Sequence, residues 1–569
     1  ASDVYKRQDR DKGKRSLMLQ IALHYANAVI ITDDNPRFED PDAIIRDIVA
    51  GTELWFPWWI IRNRKEAIHS ILRLAQAGDI VLLCGKGHEN YQEIEGVRYP
   101  FDDAEIASEF LHSEDAFQLR QEELTLPVDK LMLELLAGIP LTVNGKYKPP
   151  ESYHFLSTDS RTIAPNSIFF ALTGSHFNGN DFLPQVLSDE TILGVGTIEN
   201  QGWKNYIQVP DTLSLLASLC RKYLQLFDIY KIALTGSTGK SSTKEMLAQV
   251  FNSSAPTLKT QANENNMIGL CKTIPRIKPE HRYGVFELGT NAFGEIAALA
   301  DVCNPDAGII INIGPSHLEK LLDEDGVFRE KTALFNRPLE IRLFDGDDPR
   351  FALYKDKGKS VGFSDTSDFH ITDLECDEAS CHFKINGEPF TIPYTAPFLA
   401  KNASFAIAMG MLKDIPLSQI KTAIANPVQL DLRLQVEKTD SYILIVDCYN
   451  ANPISMQSAI EYWHKLEPER EHIAILGDML ELGTQAPMYH NMIGTILTEK
   501  GVDRLITVGN LSRYYHSSDN SNQIEHFDSV DELIKSDILK TLTPGAVILI
   551  KGSHSVQLEK VLPILRKGS

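Results

Sequence analysis

The sequence predicts an α/β protein built from several parallel-sheet domains, and three observations carry that prediction. Short β-branched and apolar runs recur, each followed by a polar or glycine-containing loop and then a helix-forming stretch. Such alternation indicates parallel sheets covered on both faces, with ligands bound at the carboxyl ends of the strands. One of these loops, in KIALTGSTGKSSTKE (231–245), has the chemistry of a phosphate-binding turn. The 569-residue length exceeds what one core serves and predicts roughly three to five domains.

Along the chain the pattern reads AVIIT into DDNPR (28–37), DIVLLC into GKGHE (79–89) and KIAL into TGSTGKS (231–241). It continues with YGVFEL into GTN (283–291), GIIIN into IGPSH (308–317) and YILIV into DCYNANP (442–453). IAIL into GDMLELG (473–483) and AVILI into KGSH (546–554) complete the set. Residues 1–8, ASDVYKRQ, match nothing that follows and are set aside as an artefact. The polar stretch HSEDAFQLRQEELT (112–125) reads as a linker. The first and last parts of the chain each pair a strand-end motif with a later K-G…H loop (86–88 and 551–554), which suggests two homologous domains.

Composition excludes several classes. Hydrophobic residues make up 43% and charged residues 23%, as in globular proteins. A net charge of −21 argues against non-specific nucleic-acid or anionic-membrane binding, so an anionic substrate must be met by locally placed Lys and Arg. The seven cysteines are scattered with no C-x-x-C pair, which offers neither a disulfide framework nor a zinc site and fits a reducing cytoplasm. No apolar run approaches the roughly 20 residues of a membrane span.

The phosphate loop spans Thr235, Gly236, Ser237, Thr238, Gly239, Lys240, Ser241 and Ser242. Its glycines let backbone N–H groups close around phosphate oxygens at a helix N-terminus. Lys240 supplies a point charge and the Ser241 hydroxyl can ligate Mg²⁺. Downstream, Glu287 and His317 follow neighbouring strands and Lys331 falls on a helix, EKTALF. A carboxylate and an imidazole at adjacent strand ends can both face Mg²⁺ on the phosphates of ATP.

TGSTGKS, QANENNMIG (261–269), FELGTN, NIGPSH, DCYNANPISM (447–456) and LGDMLELG (476–483) occur in this order. On these motifs residues 126–569 resemble the Mur ligases, ATP-dependent amide-forming enzymes of peptidoglycan precursor synthesis, and most of all the MurF branch. The resemblance implies a P-loop central domain, a Rossmann-like C-terminal domain, and ATP and Mg²⁺ as cofactors. It implies that Ser241 and Glu287 hold one Mg²⁺ and that His317 and a carbamylated Lys331 hold another. Lys240 and Arg433 would act on the γ-phosphate, and Asn402, Asp345 and Asp447 would contact the nucleotide. Ser160 and Arg161, in STDSRTIAPNSIFFAL (157–172), would hold the UDP-sugar. Asn263, Asn265, Asn266, Tyr449, Asn450 and Asn452 would contact substrate. Several positions depart from the family pattern: in LAKNASF (399–405) only Asn402 survives, with Lys401 at a usual His and Phe405 at a usual Asn, while Asp345 stands at a usual Asn and His554 at a usual Arg. Asn180, in NGNDF (178–182), also replaces a usual His.

Residues 9–111 resemble the C-terminal domain of the MurE branch through DRDKGKR (9–15), DDNPR and GKGHE. The resemblance implies that Arg10, Asn35, Arg37, Gly85 and Glu89 bind an incoming diaminopimelate. A guanidinium fork at Arg37 suits its distal carboxylate. No phosphate loop lies in this segment, so the expectation is a MurE–MurF fusion whose first part is truncated.

The expected domains are 9–111, a linker 112–125, a UDP-sugar domain 126–227, an ATP domain 228–429 and a ligase domain 430–569. The expected reaction joins D-Ala-D-Ala to UDP-MurNAc-tripeptide through an acyl phosphate, in a cytoplasmic, monomeric enzyme. Alternatives are another ligase of the superfamily such as a folylpolyglutamate synthase, a motor or transport NTPase, and a degenerate ATP-binding protein without turnover.

Overall fold

The computed structural model describes residues 2–3, 15–26, 29–33, 44, 47–48, 58–60, 64–74, 80–84, 91–94, 97–112, 126–127, 155–161, 163, 167–174, 177–189, 191–199, 202–203, 205–377, 379–428, 434–515 and 523–567. They fall into two compact units, 1–227 with 271–280, and 228–270 with 281–569.

Among its described residues the first unit carries the antiparallel hairpin Tyr91–Ile94 with Val97–Pro100 and two larger sheets. Ser2–Asp3, Val29–Ile31 and Trp58–Ile60 form a parallel three-stranded sheet. Leu19, Ala22, Val29, Ile31, Ile44 and Ile48 make its core. Ser2 and Asp3, from the segment set aside as an artefact, pair with Val29 and Ile30. Residues 80–84, expected to be a strand, contain only an isolated bridge at Leu82. Of the expected linker, His112 ends the helix Asp103–His112, and 113–125 lie outside the described residues. The second sheet runs Tyr206–Gln208, Leu193–Gly196, Ser167–Phe170, Phe155–Ser157, Leu126–Pro127, parallel except for the last strand. Residues 271–280 sit inside the expected ATP segment, yet they belong to this unit. The Cys220 thiol, on helix Thr212–Leu224, reaches the carbonyl of Cys271 at 3.6 Å.

The second unit carries the larger sheets. Nine strands run Thr257–Lys259, Tyr283–Glu287, Tyr230–Thr235, Ala307–Ile310, Ile341–Asp345, Lys359–Gly362, Phe369–Cys376, Cys381–Ile385 and Glu388–Ile392. The first seven are mutually parallel, and the last two pairings are antiparallel, so only Cys381–Ile385 runs against the rest. Tyr230–Thr235 lies between strands that follow it in sequence on either side. That is a switch point, where the carboxyl ends of such sheets open a crevice. The final hairpin was not foreseen, and it brings Cys376 and Cys381 directly opposite each other, closed by a disulfide. This corrects the reading that the cysteines offer no bridge.

The six-stranded sheet runs Gln435–Lys438, Ile443–Asp447, Val547–Lys551, His472–Gly477, Arg504–Val508 and Gln523–Phe527, parallel apart from the first. Its core includes Leu444, Val446, Ile473, Ile475, Ile506, Ile548 and Ile550. These apolar strands are buried on both faces, as their unbroken hydrophobicity requires.

Candidate active site

The strand Tyr230–Thr235 ends in a turn that closes at Gly239 and starts the helix Lys240–Asn252. Gly239 has φ 75°, and a Cβ there would lie 2.7 Å from Asn402 Oδ1, so both conformation and space demand glycine. Lys240 Nζ donates to the Gly236 carbonyl at 2.8 Å, folding the amine back over the turn.

Asn312 holds this loop in shape, and it was missed as a site residue. Its Oδ1 accepts from the Ser237 and Thr238 amides at 3.0 and 2.9 Å, and its Nδ2 donates to Thr238 Oγ1 at 2.9 Å. The available signal was its place in GIIIN, at the end of the strand paired with Tyr230–Thr235. Ser237 Oγ also donates to the Gly314 carbonyl at 2.9 Å.

A cavity of about 430 Å³ opens on the loop, large enough for a nucleotide-sized ligand. Residues 237–242, Asn265, Glu287, Asp345, Lys401 and Asn402 line it from the nine-stranded sheet and its helices. Asp447, Tyr449, Asn450, Asn452 and Lys551 line it from the six-stranded sheet. Asp447 and Lys551 are register partners on adjacent strands and form an ion pair at 2.6 Å. Lys551 was not foreseen as a site residue. Asn452 caps the helix Pro453–Lys465 through Ser455, and its Nδ2 donates to the Ser237 carbonyl at 3.3 Å. Gly314 meets the same helix, and a Cβ there would fall 1.8 Å from Ile454 Cδ1.

The departures from the family pattern make contacts of their own. Lys401 Nζ pairs with Asp345 at 2.7 Å and Asp347 at 2.8 Å, so two of the altered positions compensate each other. Burial raises the Asp345 carboxyl above its usual range against the pull of Lys401. Burial opposes the Lys401 charge too, but the two carboxylates outweigh it and hold the ammonium charged. His554 lies against Tyr449, ring centroids 5.9 Å apart. Phe405 is fully buried in the helix Pro397–Leu412.

Glu287 is 2% exposed. Its Oε1 accepts from Asn265 Nδ2 at 3.0 Å, and Lys244 Nζ stands 3.7 Å from Oε2, which has no hydrogen bond. Lys331, on the helix Glu324–Thr332, is fully buried and its amine has no hydrogen-bond partner. Burial, with the nearby Lys240 charge, pushes its pKa well below the usual lysine range. The adjacent Glu330 anchors that helix by accepting the Gly294 and Ile296 amides, each at 2.7 Å. His317 has φ 54°, and its Nδ1 lies 2.5 Å from Glu481 Oε2. His317 and Lys331 do not line the cavity. The Lys240 charge nevertheless acts on both Lys331 and Glu481, which places the three within electrostatic reach.

Among the described residues no three His, Cys, Asp or Glu side chains gather as a metal cluster. The expected ligands are one Ser, one Glu, one His and one Lys, so the fit rests on unsatisfied atoms. A buried carboxylate oxygen whose only cationic neighbour among the described residues is Lys244 at 3.7 Å, and a buried amine, both without hydrogen bonds, suit a cation and a modified lysine.

Asn263 and Asn266 are exposed. Asn266 Oδ1 accepts from the Gly269 amide at 2.9 Å, a local turn contact. In the first unit Arg161 pairs with Asp159 at 2.6 Å and remains largely exposed, and Ser160 is half-buried beside it. Asn180, in the short helix Gly179–Phe182, donates to Asn178 and Thr197 and accepts from the Thr197 amide, clasping that helix to the end of the strand Leu193–Gly196. Arg433, Arg10, Asn35, Arg37, Gly85 and Glu89 lie outside the described residues.

A model of the Mur ligase middle domain matches residues 234–410, and one of the Mur ligase glutamate ligase domain matches twice, at 6–87 and 432–554. The UDP-N-acetylmuramoyl-tripeptide–D-alanyl-D-alanine ligase of Bacillus subtilis (strain 168) is 31% identical over 422 residues, 72% of this chain and 92% of the relative. The protein of the same name from Escherichia coli (strain K12) is 30% identical over 431 residues, 73% of this chain and 94% of the relative. A crystal structure of MurF from Acinetobacter baumannii superposes with a TM-score of 0.69 at 25% identity, covering 78% of this chain and all of that one. MurF from Thermotoga maritima, in complex with ADP, shares the fold with a TM-score of 0.66 at 22% identity, covering 72% of this chain and 97% of that one. By domain matches, identity and coverage together, the chain belongs to the Mur ligase family, in its MurF branch.

Proposed function

We propose that residues 126–569 join D-Ala-D-Ala to UDP-MurNAc-tripeptide at the expense of ATP, in peptidoglycan precursor synthesis. The observation that carries this reading is the cavity in which a preformed phosphate loop, Lys240 and the unsatisfied Glu287 oxygen meet the loops of the C-terminal sheet. The names and coverage of the relatives supply the substrates.

The tripeptide carboxylate oxygen attacks the γ-phosphorus and ADP leaves. The amine of D-Ala-D-Ala then attacks the acyl carbon, phosphate departs with the C–O bond, and the amine loses a proton. Lys240 and the loop amides stabilise charge on the transferring phosphoryl group. Mg²⁺, when bound, offsets phosphate charge. Ser241 and Glu287 would hold one ion, and His317 with a carbamylated Lys331 another. A neutral buried amine is the form that adds CO₂, and the product is an anionic oxygen ligand. Positioning by the two sheets' loops supplies much of the remaining rate. Residues 9–111 act in this reading as a MurE-type amino-acid-binding domain, with Arg37 selecting diaminopimelate, so the tripeptide ends in that residue.

The test is phosphate release by the purified chain with ATP, Mg²⁺ and UDP-MurNAc-tripeptide, with and without D-Ala-D-Ala. Release that needs both substrates and yields pentapeptide is the expected result. ATP binding without release would sink the reading.

A further inference from the structure

The segment LGDMLELG (476–483) runs from the end of the strand His472–Gly477 into a loop, and its one long acidic side chain, Glu481, has no part in the proposed reaction. Its backbone is fixed residue by residue. Asp478 Oδ1 accepts the Leu511 and Ser512 amides at 3.0 and 2.7 Å. The Met479 amide donates to His490 Nε2 at 3.0 Å, and the Leu480 amide to Ser553 Oγ at 3.2 Å. Glu481 comes next at φ 63°, and its carbonyl accepts the Glu319 amide at 3.2 Å. Its carboxylate reaches His317 Nδ1 at 2.5 Å, a close electrostatic approach outside hydrogen-bond geometry.

Two non-glycine residues in left-handed conformations therefore meet side chain to side chain. Backbone strain of this kind persists only where the surroundings enforce it. Here the braced loop on one side and the turn into Leu318–Leu321 on the other enforce it. A carboxylate at Nδ1 keeps the ring proton there and leaves the Nε2 lone pair for a cation, the arrangement by which outer partners orient metal-binding histidines.

We infer that Glu481 is a positioning residue that fixes the tautomer and ring orientation of His317 from the C-terminal sheet. The cation site is then complete only when the loop 478–483 is seated on residues 317–319. The inference rests on the metal role proposed for His317.

Mn²⁺ binding in the presence of ADP, followed by its paramagnetic resonance signal, tests this on the full chain. The variants are Glu481→Ala, Glu481→Gln, Glu481→Asp and His317→Ala, with circular dichroism to check that each folds. Glu481→Ala should weaken Mn²⁺ binding by about 10-fold or more. Glu481→Gln should weaken it less, because its amide oxygen still presents partial negative charge to Nδ1, and it serves as the readout if the alanine variant unfolds. In turnover, Glu481→Ala should raise the KM for Mg²⁺ more than it lowers kcat at saturating Mg²⁺. Wild-type Mn²⁺ affinity in folded Glu481 variants, with affinity lost in His317→Ala, overturns the role of Glu481 alone. Wild-type affinity in His317→Ala overturns the metal reading and this inference with it.

Discussion

An ammonium group buried without a partner loses several kcal/mol of solvation, so the Lys331 site favours the neutral amine. A neutral amine is nucleophilic toward CO₂, which leads to a direct expectation. Enzyme held in CO₂-depleted buffer should lose most of its activity and regain it with bicarbonate. A carbon-13 carbamate resonance should be present in the wild type and missing in Lys331→Ala. In the cavity itself, Lys401 serves two carboxylates, one of them only 6% exposed. Lys401→Met strands Asp345 beside Asp347 and should cost on the order of 2–3 kcal/mol in urea unfolding. Adding Asp345→Asn should restore most of that loss. The phosphate-loop residues were legible because glycine, lysine and serine at fixed offsets describe one shape. Asn312 and Lys551 were not, because each works by bonding a loop or a partner brought close only by strand register.

The element that carries Glu481 is tied to a titratable group. His490 donates from Nδ1 to the Ala486 carbonyl at 2.7 Å and accepts the Met479 amide at Nε2, so the network needs the neutral ring. Burial pulls its pKa from 6.5 down to about 4. Between those values the unfolded chain binds a proton that the folded chain refuses, so stability falls as pH drops from about 6.5 toward 4. At about 1.4 kcal/mol per unit the loss is on the order of 3 kcal/mol. Thermal unfolding at pH 7 and pH 5 should show a steeper drop for the wild type than for His490→Gln. Strands with continuous apolar runs, such as Ile443–Asp447 and Val547–Lys551, could be read from sequence because both faces are buried. Cys381–Ile385 alternates buried and exposed and could not be read by that pattern. DIVLLC shows the reverse failure: it is apolar, yet Ile80 and Leu82 are largely exposed, and its described residues 80–84 hold no more than the isolated bridge at Leu82.

On the scale of the whole molecule, one glutamate ligase domain model matches at both ends of the chain, while the middle domain model matches once. Excess negative charge over the surface leaves recognition of an anionic nucleotide to the few cations at the loop, Lys240 first among them. Lys240→Ala should lower phosphate release by at least about 100-fold, in the range seen when one preorganised transition-state contact is lost. The sequence told which loops gather at strand ends but not how closely the two large sheets approach, since that depends on the bare backbone of Gly314 against Ile454. A single added methyl would therefore work as a doorstop. Gly314→Ala should leave ADP binding measurable by calorimetry while turnover falls more than about 10-fold, and Ile454→Ala in the same chain should let the door shut again. An enzyme wedged ajar in this way would be suited to finding inhibitors that grip the open form.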